Sequence, residues 1–131
     1  MKNLKLGLFI VLIMFIIAGN AQATSKETKN KVGQAVFYAI WLDNWDSDCG
    51  GRPAINLDHQ KLANKLTEKH FGMTIGETVK IIDKNNNQNT RRMIYKAYTQ
   101  ERDKYGCDSA QFKQIKDQKS KNFYNLYLLL K

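Results

Sequence analysis

An all-α fold, a compact bundle of four to five helices with one disulfide behind an N-terminal signal peptide, is what this sequence of 131 residues predicts. Three observations carry the prediction. Apolar residues recur at helical spacing, as with Val32, Ala35, Val36, Ala39 and Ile40 at i, i+3, i+4, i+7 and i+8, and no stretch alternates apolar with polar residues long enough for a strand. Pro53 is the single proline, so helix interiors are left unbroken. The first 23 residues form a basic start (Lys2, Lys5), an apolar run from Leu6 to Gly19, and a small-x-small site, Ala21-Gln22-Ala23, which is the layout of a secretory leader.

The apolar run holds 14 residues, short of the roughly 20 needed to cross a hydrocarbon core. Cleavage after Ala23 is therefore expected rather than retention as an anchor. No cysteine stands at the new N-terminus to receive a lipid. The expected product is one helical domain, residues 24–131, periplasmic or secreted, without stable membrane insertion after cleavage.

The first helix of that domain is expected from about Lys26 to Trp45. Phe37, Tyr38, Trp41 and Leu42 widen its apolar stripe until it reads as the central helix, packed on several sides. Asp46-Ser47-Asp48-Cys49-Gly50-Gly51-Arg52-Pro53 should end it, because paired glycines and a proline favour a turn. A second helix begins near Asn56 or Asp58, either of which could cap it, carries Leu62, Ala63 and Leu66 inward, and stops at Gly72. Thr74-Ile75-Gly76-Glu77 has capping-box spacing and opens a short helix from Ile75 to Asp83. The asparagine-rich run from Lys84 to Asn89 reads as an exposed connector. A helix over about Thr90 to Asp103 turns Met93, Ile94, Ala97 and Tyr98 inward and Arg91, Arg92 and Lys96 outward. The last, from Ser109 to about Leu130, aligns Phe112, Ile115, Phe123, Leu126, Tyr127 and Leu130 on one stripe.

Cys49 and Cys107 are the only cysteines. In an oxidising compartment an isolated pair is most simply a disulfide, and neither Cys-x-x-Cys spacing nor an adjacent histidine argues for redox chemistry. The bond would staple the end of the first helix to the start of the last.

The chain carries 21 Lys and Arg against 12 Asp and Glu, and loss of Lys2 and Lys5 with the leader lowers the net charge from +9 to +7. Export removes nucleic acid as the expected partner and leaves anionic envelope surfaces, at most weakly contacted, and proteins. Asp43, Asp46 and Asp48 could collect a hard cation, but no EF-hand pattern starts from any of them, and solvated acids at a helix end are expected. His59 and His70 sit 11 positions apart, about 16 Å along a helix, too far to share a metal. No catalytic motif appears, and no metal, cofactor or enzymatic activity is expected. Trp41 and Trp45 at i and i+4 read first as core, with Trp45, among polar neighbours, the more accessible; together with Arg52 it is the candidate partner contact.

Gly72-Met73-Thr74-Ile75, the helix after it, and Arg91-Arg92-Met93-Ile94-Tyr95-Lys96-Ala97-Tyr98 resemble a pattern in small exported bacterial helical proteins of unknown function. The resemblance spans about residues 62–131 and departs where Leu128-Leu129-Leu130-Lys131 replaces a terminal cysteine and where Cys107 precedes the last helix. It implies a helical fold and no activity. The functional expectation is an exported, non-enzymatic protein acting on a protein partner, such as an immunity or inhibitor protein. A periplasmic stress chaperone or an enzyme of undetected type are the alternatives.

Overall fold

The computed structural model describes residues 25–51 and 57–131. The leader, Arg52 and the candidate cap Asn56 lie outside the described residues. Five helices follow one another: α1 Lys26–Asp48, α2 Asp58–Phe71, α3 Ile75–Asn86, α4 Thr90–Tyr105 and α5 Ala110–Leu130. No strand occurs among the described residues.

Helix α1 starts where Ser25 Oγ accepts from the Thr28 amide at 3.2 Å. It continues past Trp45 to Asp48, because Asp46-Ser47-Asp48 contains no breaker and the next glycine is Gly50. Val32, Ala35, Val36, Phe37, Ala39, Ile40, Trp41 and Leu42 are all buried, as the widened apolar stripe predicts for a central helix. Its neighbours are α5, α2 and α4, while α3 packs chiefly on α2 and α4. Helix α5 runs antiparallel to α1: Lys116 lies over Trp45, Lys119 over Trp41, and Asn122 reaches Tyr38.

The core centres on Trp41, whose ring meets Tyr98 at 5.3 Å and Phe112 at 5.8 Å, both edge to face. Such contacts add about 0.5–1.5 kcal/mol each beyond the burial of area. Phe112, Phe123 and Leu130 are buried on α5, with Ile115, Leu126 and Tyr127 packed partly behind them. Ile94, Ala97 and Tyr98 are buried on α4.

Cys49 and Cys107 form the expected disulfide, tying the end of α1 to the turn between α4 and α5. Two further contacts reinforce that corner. The Tyr98 hydroxyl donates to Cys49 Sγ at 3.2 Å, and Arg102 donates to Asp48 at 2.8 Å. Burial pushes the Tyr98 phenol well above its ordinary pKa, and the Asp48 carboxylate adds to the shift.

Two local expectations need correction. The run from Lys84 to Asn89 is not a loop throughout: Lys84, Asn85 and Asn86 complete α3, and the asparagines do local work. Asn86 Nδ2 donates to the Ile82 carbonyl, Asn87 closes the helix at φ 48°, a left-handed conformation that asparagine tolerates, and Asn89 Oδ1 caps α4 through the Arg92 amide at 3.0 Å. Asp83 joins the two helices by accepting from both the amide and the hydroxyl of Thr90. Helix α4 then extends to Tyr105 before Gly106 breaks it.

The second correction concerns α2. Its cap position is Leu57, which offers no side-chain bond, while Asp58 already belongs to the first turn. The cap comes from another helix altogether.

Candidate functional site

Asp43 projects from α1 onto the start of α2. Its Oδ1 accepts from the His59 amide at 3.2 Å and from His59 Nδ1 at 2.8 Å, and its Oδ2 accepts from the Gln60 amide at 3.0 Å. The carboxylate thus supplies the acceptors that Leu57 cannot, and it sits at the positive end of the α2 dipole. Asp46, one turn on, places Oδ2 3.6 Å from the same imidazole nitrogen. The solvated acids expected at this end of α1 are instead buried: Asp43 is 3% exposed and Asp46 8%. Because α1 runs on to Asp48, both remain inside the helix and face α2. Asp48, on the outer side, accepts from Arg102 and from the Tyr95 hydroxyl.

His59 completes the junction. Its ring lies 5.5 Å from Phe123 and 5.9 Å from Tyr124, so α1, α2 and α5 meet at one imidazole. Next to it Gln60 Oε1 accepts from Arg91 of α4 at 2.6 Å. Asp43, Asp46 and His59 bring three donor atoms within 4.8 Å of one another, but Asp43 already accepts three hydrogen bonds at a helix N-terminus, where the dipole opposes a cation. The cluster is a junction between helices. A general base would also need an open path to the ring, and the His59 side chain is only 10% exposed.

His70, the other histidine, lies at the far end of α2, where its Nε2 is 2.9 Å from the Leu130 carbonyl of α5. The two imidazoles serve opposite ends of one helix.

A second, partly buried polar group lies between α1, α4 and α5. Trp41 Nε1 donates to Glu101 Oε1 at 3.1 Å, Lys119 Nζ approaches the same oxygen at 3.9 Å, and the ammonium lies 5.0 Å above the Trp41 ring. Burial holds the Lys119 ammonium below the ordinary lysine value, and the Glu101 charge partly offsets this. Trp45 is half-buried beneath Lys116, which stands 4.8 Å from its ring centre. Its companion in the expected contact, Arg52, is outside the described residues.

A different face is open to solvent. Arg92, Met93, Tyr95, Lys96 and Thr99 of α4, with Gln88 and Asn89 before it, line a shallow depression of about 630 Å³. Tyr95 is 42% exposed there, and Arg92 and Lys96 are exposed beside it. The sequence pattern turns Arg91, Arg92 and Lys96 outward and Met93 inward with Ile94, Ala97 and Tyr98; Met93 is instead half-buried at this depression, and nothing in the sequence singles the face out as a recess.

Comparison with family models, with curated proteins and with solved structures finds no match to this chain.

Proposed function

We propose that the chain is an exported, non-enzymatic binding protein that acts by protein–protein contact, in the manner of an immunity or inhibitor protein, in the periplasm or outside the cell. The α4 face carries this reading. Arginine, methionine and tyrosine are enriched at protein interfaces, and tyrosine and arginine dominate their hot spots; Arg92, Met93 and Tyr95 stand together around an open depression. The helix that presents them is held by Asp83 at its start and by Arg102 on Asp48 near its end, beside the disulfide. A face held in this way loses little conformational freedom on binding. Arg92 and Lys96 would favour an acidic partner surface.

The test is capture by the processed, oxidised protein from its own envelope and medium, in about 0.3 M salt so that diffuse charge attraction is screened. One dominant protein, weakened tenfold or more by Tyr95→Ala or Arg92→Ala, supports the reading. Capture of nothing, or of a mixture that both substitutions leave unchanged, refutes it.

The burial of Asp43 and Asp46 favours a second reading, an acid-responsive chaperone, since buried carboxylates are the usual trigger of acid loosening. That reading requires new apolar surface, seen as dye binding, together with suppressed aggregation of client proteins near pH 4.

A further inference from the structure

We propose that the outer face of the last three turns of α5, with the lysine stripe of α2 beside it, seats the protein on an anionic lipid surface. From Gln118 to Lys131 the chain holds three lysines and no acidic residue. Over the same turns Leu128 and Leu129 are 61% and 63% exposed, the most open large apolar side chains among the described residues, and Tyr124 is 43% exposed. Lys121, Tyr124, Leu128 and Lys131 fall at i, i+3, i+7 and i+10, so they share one face, bounded by Leu129.

Helix α2 lies along this face. His59 contacts Tyr124, and at the far end Lys69 Nζ and His70 Nε2 both reach the Leu130 carbonyl. Lys61, Lys65 and Lys69 repeat at i, i+4 and i+8 on the exposed side of α2. Three acids stand among these lysines, Asp58 and Glu68 on α2 and Asp117 on α5; Glu68 accepts from Asn64, and Asp117 lies 3.7 Å from Lys116. The result is a small leucine tip with a tyrosine at its edge, Lys121 and Lys131 on the same face, and Lys69 at its border, from which Lys65 and Lys61 continue along the exposed side of α2.

That layout matches a lipid interface better than a protein. Leucine enters the headgroup–acyl boundary, tyrosine prefers the headgroup level, and lysines extend their chains to reach phosphates. A second copy would oppose lysines to lysines, and the centre of a protein interface is depleted of charge. Because α5 lies on the surface and no helix among the described residues is long and apolar enough to cross a membrane, the contact is peripheral.

The experiment is co-sedimentation of the processed, oxidised protein with phosphatidylglycerol–phosphatidylcholine vesicles and with phosphatidylcholine alone. Binding to the first only, weakened as salt rises, is expected. Leu128→Ser with Leu129→Ser should cost tenfold or more in partitioning, and Lys61→Gln with Lys65→Gln about fivefold per lysine. All four positions are exposed, so circular dichroism and the urea midpoint should stay at wild-type values. The proposal fails if anionic vesicles leave the protein in solution, or if the leucine pair can be replaced without loss, which would reduce the attraction to net charge. It also fails if sedimentation velocity shows a dimer that the leucine substitutions dissolve, which would assign the face to a second copy. The lysine variant tests the proposal separately should the leucine variant misfold.

Discussion

Replacing Asp43 tests whether one buried carboxylate holds the start of α2. In Asp43→Ala the amides of His59 and Gln60 lose their acceptors while still buried, as does the His59 imidazole. An orphaned buried donor costs about 1–3 kcal/mol, and loss of a helix cap alone costs about 1 kcal/mol. Allowing for partial relaxation, the sum is about 3–5 kcal/mol, a large share of the 5–15 kcal/mol typical of a domain. Asp43→Asn keeps one acceptor oxygen and the shape, and should cost about 1–3 kcal/mol. If Asp43 were a solvated acid at a helix end, both changes would fall within about 0.5 kcal/mol and would lean toward stabilisation, since a carboxylate near a helix C-terminus opposes the dipole. Urea denaturation followed by circular dichroism reads the difference, and hydrogen exchange at the amides of residues 59 and 60 locates it. A midpoint unchanged in Asp43→Ala, with exchange at both amides as slow as in the parent, would refute the reasoning.

Three other outcomes are expected. Replacing Cys49 and Cys107 together by serine should cost about 4 kcal/mol on the chain-entropy account of a loop this long, read as a drop in urea midpoint. The raised Tyr98 pKa means that the unfolded chain ionises this phenol from about pH 10 while the folded chain does not, so stability present below pH 10 is lost as pH rises above it. Between pH 9 and 11 the parent should lose about 1.4 kcal/mol more than Tyr98→Phe, measured by urea titration at each pH. Gly72 closes α2 at φ 71° with open space around it, so Gly72→Ala should cost about 1 kcal/mol in thermal or urea unfolding through backbone strain alone.

Most of the architecture is legible because helix formation is local. Thr74 accepts the amide bond its position predicts, Gly72 and Gly106 end the helices that precede them, and the α5 stripe from Phe112 to Leu130 is turned inward. The burial of Asp43 also had a signal. Residues 32, 36, 39, 40, 43 and 46 lie on one stripe, and extending the apolar period through the two aspartates, instead of stopping at the first charge, marks them as inward. Their partner carries no such mark, since His59 is separated from Asp43 by a turn and a loop.

By itself the sequence determined a bundle of four to five helices, their order, their approximate ends and the pair of cysteines available to join, because caps, breakers and a 3.6-residue period act over a few residues. Only the tertiary structure decided that Asp43 caps a helix it does not belong to, that Glu101 receives the Trp41 indole, that Trp45 lies under Lys116, and that Lys69 of α2 meets the end of α5 at the Leu130 carbonyl. Those pairings join residues far apart in the chain, and they follow from how the helices cross when their apolar faces are buried together, a global condition that no local pattern encodes.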